Sequence, residues 1–235
     1  MVTLHEAVRA IARCWPKATT TKAWLASSAT FGNDQIVQLA ALEELVRGWK
    51  DDPYALAILR TRVQQDSYRE VRQIAVQELL RGYKGDAGTL PWLKTCAQQN
   101  EHPNMRRVAL EELVRGWKDY PDTRKILQNR AQQDEDSGVR RTAMQELTKS
   151  WHENHDMLTI LKTCIQHEED WSVRRAAVLE LVRGWIHIPD TLRILKARAQ
   201  QDKHPDVRRA AREGLVWGWK HDPEVQAFLA GLPKD

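Results

Sequence analysis

The pair His152 and His155 in "WHENHD" is spaced closely enough to approach one metal ion, but no cysteine or third fixed ligand accompanies it, so no metal site is expected. The three cysteines, Cys14, Cys96 and Cys164, form no CxxC and no Cys/His ligand spacing. Cys96 and Cys164 stand in the same register two repeats apart, too far for a disulfide, and all three are expected as small buried or half-buried thiols. "GYKGDAG" at Gly82 to Gly88 fails the G-x-x-x-x-G-K-[ST] pattern of a phosphate-binding loop. Catalysis generally needs a paired nucleophile and base, or an inserted loop that breaks a repeat. Neither is found, so an enzyme is not expected, and no catalytic residue or cofactor is assigned.

What remains with chemical potential is a set of arginines and tryptophans, and these lie on a repeat. "LVRGW" occurs at Leu45 to Trp49, Leu113 to Trp117 and Leu181 to Trp185, with "LLRGY", "LTKSW" and "LVWGW" ending at Tyr83, Trp151 and Trp219. With Trp15, these aromatics are spaced every 34 residues without an insertion, a period that signals a stacked array. One domain over residues 1–235 is expected, with units ending near Trp15, Trp49, Tyr83, Trp117, Trp151, Trp185 and Trp219 and a last helix over 223–231.

Each unit is read as two helices. In "VRRAAVLELVRGWIHIPDTLRILKARAQQD", Val173, Ala177, Leu181 and Trp185 recur at helical spacing, a helix ended by Gly184-Trp185, and Leu192, Ile194, Leu195 and Ala199 mark a second one. Asp52-Pro53 and Asp222-Pro223 supply an N-cap acid followed by an N1 proline. Three rows carry the core: Ala7 to Ala211, Leu25 to Leu229 and Ile11 to Leu215, each at the same register in every unit. The aromatic series is read as structural, as are Trp24 and Trp92, which replace isoleucine at a core site.

The recurrent "D…VRRAA…EL" resembles HEAT-type repeats, with Asp66, Asp134 and Asp202 as the turn acids and Arg72, Arg140 and Arg208 as the matching arginines, over about Thr3 to Leu229. A tetratricopeptide unit has the same period, but its Trp, Leu-Gly and Tyr do not line up here. The resemblance implies an all-α, right-handed α-solenoid (superhelix) of seven HEAT-like helical hairpins. "VRRAAVLELVRGW…PDTLRILKARAQQD" further resembles arrays carried C-terminally by bacterial, especially cyanobacterial, NACHT-type signal-transduction NTPases. That resemblance implies a sensor portion, covalently continued by a nucleotide-binding domain. HEAT-type arrays also occur in bilin lyases, so a lyase-like helper is a further alternative.

On a helical wheel, the face opposite Ala177 and Leu181 bears Arg175, Leu179 and Arg183. In HEAT-like arrays this helix lines the concave surface, which implies a partner-binding stripe of Arg107 and Arg115, Arg141 and Lys149, Arg175 and Arg183, then Arg209 and Trp217. Glu111, Gln145 and Glu213 interrupt it. Three readings stay open: ion-pair ladders that keep the face solvated, recognition of a protein partner, and binding of nucleic-acid backbone. Lys plus Arg number 36 against 32 Asp plus Glu, a formal charge of +4, weaker than a dedicated phosphate binder usually carries. Trp171, in a turn where sister units have Pro103, Ser137 or Pro205, is a candidate turn anchor. Arg72, Arg106, Arg140, Arg174 and Arg208 are expected to pair with turn acids or with Glu44, Glu78, Glu112, Glu146 and Glu180.

Alternate units also differ: Arg62, Arg130 and Arg198 stand where the units between have Cys96 and Cys164, giving a 68-residue super-period. No apolar run reaches membrane-spanning length and no secretory signal opens the chain, so a cytoplasmic protein is expected. Neither end of the array shows an evident polar capping unit in the sequence, which suggests either a longer array or end-to-end self-association.

Overall fold

The computed structural model describes residues 3–16, 18–49, 52–83, 85–151 and 155–233, and every regular element among them is helical. The helices are α1 (Leu4–Cys14), α2 (Thr19–Phe31), α3 (Gln35–Trp49), α4 (Pro53–Gln65), α5 (Arg69–Tyr83), α6 (Thr89–Gln99) and α7 (Pro103–Trp117). They continue as α8 (Pro121–Gln133), α9 (Ser137–Ser150), α10 (His155–His167), α11 (Trp171–Trp185), α12 (Pro189–Gln201), α13 (Pro205–Gly218) and α14 (Pro223–Ala230). From α3 to α13 the odd-numbered helices carry the "LVRGW" phrase or its variants; the even-numbered ones include those ending in "QQ" before the turn acid. The chain forms an all-α array of stacked helical hairpins.

Helix starts follow local chemistry. Asp52 accepts the Tyr54 N–H, Asp170 accepts those of Ser172 and Val173, and Asp222 accepts those of Glu224 and Val225. Proline opens α4, α8, α12, α13 and α14, where its missing N–H costs nothing. α11 ends at Trp185, as the Gly184-Trp185 signal predicts, with Gly184 the last residue but one of the helix.

The chain divides into two compact units, Met1–Ala109 and Leu110–Asp235. In the first, α2 packs on α3 and α4 on α5; in the second, α8 packs on α9, α10 on α11 and α12 on α13. The closest pairing is therefore across the short turn that holds the acid. Odd-numbered helices also stack on one another, α1 on α3 and α3 on α5, then α9 on α11 and α11 on α13.

The three core rows are buried from the second repeat onward: Ala41, Ala75, Ala143, Ala177 and Ala211 are closed to solvent, as are Leu25, Leu59, Leu93, Leu127, Leu161 and Leu195. Only the end members Ala7, Ile11 and Leu229 are half-buried, since a row residue is covered only by its neighbours. The aromatic series departs from expectation at its start. Tyr83, Trp117 and Trp185 are buried and Trp49, Trp151 and Trp219 half-buried, but Trp15 is 60% exposed. Tyr83 shows how such a side chain is held, its hydroxyl donating to the Trp49 and Asp52 carbonyls of the preceding link at 3.0 and 3.2 Å. No preceding link for Trp15 lies among the described residues. Trp24 is also exposed, so packing does not account for it. Of the cysteines, Cys96 is buried and Cys164 half-buried, but Cys14 is exposed at the end of α1. Burial pushes the Cys96 and Cys164 thiols up to about 12, so both remain neutral.

Candidate functional site

Two kinds of arginine recur, and the structure gives them different work. The first sits near the start of the odd helices from α5 to α13. Arg72, Arg106, Arg140, Arg174 and Arg208 donate through Nη1 to the carbonyls of Asp66, Asn100, Asp134, Glu168 and Asp202, at 2.6 to 2.9 Å. Those carbonyls end the even helices, whose last C=O groups have no partner within the helix. In the second unit the same arginines also reach the next turn. Arg140 holds both oxygens of Glu168 at 2.8 Å, and Arg174 those of Asp202 at 3.0 and 2.9 Å. Burial would raise the Asp202 carboxyl, but Arg174, the His204 N–H and Arg198 outweigh it and hold its pKa below the usual range. Glu168 is lowered in the same way, by Arg140 and the Asp170 N–H against burial.

The second kind ends the odd helices and belongs to the stripe that the sequence offered as a candidate for partner binding. Arg115, Lys149 and Arg183 each pair with the glutamate three residues earlier: Arg115 with Glu112, Lys149 with Glu146 at 2.8 Å and Arg183 with Glu180 at 2.8 Å. Glu112 and Glu180 are buried against the core edge while their partners are exposed. Arg47 with Glu44 and Arg81 with Glu78 repeat the arrangement in the first unit. Of the two partners expected for the first kind of arginine, Arg174 takes the turn acid, Asp202, while these glutamates pair three residues on along their own helix, where side chains share one face.

The remaining stripe residues are less uniform. Arg107, in the first unit, and Arg141 and Arg175, in the second, are half-buried; Arg209 is exposed and pairs with Asp206. Trp217 is the most exposed aromatic of the second unit at 66%, beside exposed Val216. Gly214 replaces the glutamate of its row, and a Cβ there would come within 2.5 Å of Val182 Cγ2. Trp217 therefore ends the row without an acid below it.

Trp171 lies elsewhere than expected: it is the first residue of α11 and stacks on His204, ring centroids 4.0 Å apart and planes 4° from parallel. It remains 40% exposed. The pair borders a groove of about 610 Å³ along two successive turns, lined also by Arg174, Arg198, Asp202 and Lys203. The His204 Nδ1 accepts the Asp206 N–H at 3.2 Å, capping α13.

The super-period has a packing origin. Arg62, Arg130 and Arg198 each reach the turn acid four residues on, Asp66, Asp134 and Asp202, at 3.2, 3.4 and 3.7 Å. Arg62 and Arg198 also donate to carbonyls of the even helix before, those of Thr30 and Ile165. That preceding helix carries Ser28 or Cys164 at the matching register, small enough to leave the long guanidinium room. Sequence reading missed a further row: buried Thr89, Thr123 and Thr191 donate their hydroxyls to the Tyr83, Trp117 and Trp185 carbonyls at 2.7 to 2.8 Å. The signal was available, a threonine six residues after the aromatic. Among the described residues no group of three or more His, Cys, Asp or Glu is placed to hold a metal ion, and His152 lies outside them. No helix of the described residues is long and apolar enough to cross a membrane.

Residues 133–216 match the family model of HEAT repeats, covering α9 to α13 apart from the last residues of α13. No curated protein matches the chain.

Proposed function

We propose that the chain is a non-catalytic scaffold that recognises a protein partner through the outward face of its odd-numbered helices, with Trp217 as the apolar anchor. One observation carries this reading: the cations that end the stripe in the second unit are each matched by a glutamate on their own helix. Such pairs leave little net field for a phosphate backbone, whose binding rests on unneutralised Lys and Arg. They do supply fixed donors and acceptors around an exposed tryptophan, a composition suited to protein interfaces. The match to HEAT repeats supports the same reading, since such repeats generally serve as interaction scaffolds. The finer role, a cytoplasmic sensor portion working with a NACHT-type nucleotide-binding domain, rests on the resemblance of the repeat phrase.

The test is capture of partners from the native host on wild-type and Trp217→Ala protein, with binding to duplex DNA and RNA measured in parallel. A partner retained by the wild type and weakened by about 2 kcal/mol or more in the variant is the expected result. Tight binding to arbitrary nucleic acid that falls steeply with salt and ignores Trp217 overturns the reading.

A further inference from the structure

In the first unit, the row that becomes Arg115, Lys149 and Arg183 begins with Arg13, Arg47 and Arg81. Arg47 and Arg81 rest on buried Glu44 and Glu78. Arg13 has Ala10 at that place, and no carboxylate among the described residues pairs with it. Because α1 stacks on α3 and α3 on α5, Arg9, Arg13, Arg47 and Arg81 gather on one stretch of surface. Arg9 is tied across the helix boundary to Glu43 at 2.8 Å, which leaves Arg13 as the surplus cation. Burial and the nearby charges of Arg13, Arg9 and Arg81 depress the Arg47 guanidinium, with Glu43 opposing. An added anion would relieve this crowding.

The crowding coincides with a cavity. A groove of about 340 Å³ beside the ends of α1 and α3 is lined by Ala12, Arg13, Pro16, Gly48, Trp49 and the Arg47–Glu44 ion pair, so that Arg13 is its one cation without an acid. A Cβ on Gly48 would meet nothing within 4 Å, and Trp15 stands exposed next to Pro16. The groove thus offers a guanidinium without an acid, a second one crowded by like charge, and an apolar lining beside both.

We propose that this groove takes a short acidic-apolar segment of a protein partner, an Asp or Glu carboxylate on the Arg13 and Arg47 guanidiniums and the adjacent apolar side chain on Ala12, Pro16 and Trp49. The assignment rests on the reading of this helix face as protein-binding and names the chemistry of what it takes. Charge complementarity selects the carboxylate, since guanidinium and carboxylate form the shorter, stronger class of hydrogen bond. With Arg47 paired to Glu44 and Arg9 to Glu43, one surplus cation, Arg13, remains beside the apolar lining, which matches a single carboxylate and not a run of phosphates.

The experiment uses the full chain and fluorescence anisotropy with a labelled peptide of alternating Glu and Leu, a Gln and Leu counterpart, and a labelled single-stranded DNA. Two variants probe the groove while keeping all its arginines: Ala10→Glu gives Arg13 the acid that later rows possess, and Gly48→Leu fills the open space. Circular dichroism verifies that both stay helical and melt no lower than the wild type, Gly48→Leu gaining from the loss of a helical glycine. The Glu peptide is expected to bind about tenfold tighter than the Gln peptide, and each variant to lose about tenfold, as for one charged hydrogen bond. Equal binding of the two peptides, variants that bind like wild type, or DNA bound tighter than the Glu peptide would each overturn the proposal. If a Trp217-dependent partner is captured but no Glu peptide binds, the groove assignment alone falls. If the peptide binds as expected but capture ignores Trp217, the groove stands and the second-unit reading falls.

Discussion

The Arg174 guanidinium holds both carboxylate oxygens of Asp202, one full turn along the array, at 3.0 and 2.9 Å, with Asp202 almost closed to solvent. The same Arg174 donates to the Glu168 and Glu169 carbonyls, so one side chain closes its own turn and clamps the next. Removing it takes the two guanidinium hydrogen bonds from a buried carboxylate, which keeps only Arg198 and the His204 N–H, and strips the helix end of its donor. Arg174→Ala is expected to destabilise the chain by about 3 kcal/mol, whereas Arg209→Ala, on the exposed face, should stay within about 0.5 kcal/mol. Urea unfolding compares them, and equal losses would show that the turn clamp does not hold the array.

The same clamps set the response to acid. Glu168 and Asp202 have folded pKa values held below their unfolded ones. A depressed carboxylate contributes stability that is present above the unfolded pKa and lost as pH falls through the folded one. The urea midpoint should therefore hold between about pH 7 and 5 and drop below about pH 4, where unfolded carboxylates begin to protonate. Arg174→Met should shrink that drop. A midpoint that rises on acidification contradicts the assignment.

The array and its core rows were legible in the sequence because each repeat writes the same apolar residue at the same helical register, and packing between neighbours reads only that register. Phase within the hairpin was less so: the period alone does not say whether "LVRGW" pairs tightly with the helix before or after, and the acid-bearing turn, closed by Arg72, Arg140 and Arg208, decides it. The stripe residues were found, but their partners were not. Position near the core edge left Arg174 a choice between a turn acid and Glu180; it takes the turn acid Asp202, while Glu180 reaches Arg183 on its own helix. Stacking of Trp171 on His204 could not be read, since it joins residues in successive turns that share no repeat register. The Arg13 groove was hidden by the rule that revealed everything else, because it depends on Ala10 breaking a row.

Glycines in the repeat phrase differ in what surrounds them. Gly184 lies inside α11 with nothing within 4 Å of a built Cβ, while a Cβ on Gly214 would sit 2.5 Å from Val182 Cγ2. Gly184→Ala should raise stability by about 0.5–1 kcal/mol, the usual gain for alanine over glycine within a helix. Gly214→Ala should lower it by roughly 1–3 kcal/mol, as overpacking does. Thermal unfolding that shifts both variants in one direction would show that the contact at Val182 is not what requires glycine.

Trp171, offered by the sequence as a turn anchor for a partner, is engaged within the chain by its stack on His204, so a polar replacement there carries a cost of its own. Parallel aromatic rings at this separation add about 0.5–1.5 kcal/mol beyond the area they bury. His204 also caps α13 through Nδ1, so His204→Ala mixes two losses and a single substitution cannot isolate the stack. A double-mutant cycle does: Trp171→Ser, His204→Asn, which keeps a capping side chain, and the pair together. Contacting residues are non-additive, and the coupling expected here is about 0.5–1 kcal/mol. Additive losses would mean that the two turns are joined by Arg174 and Asp202 alone, and that Trp171 is free to act as an anchor for a partner.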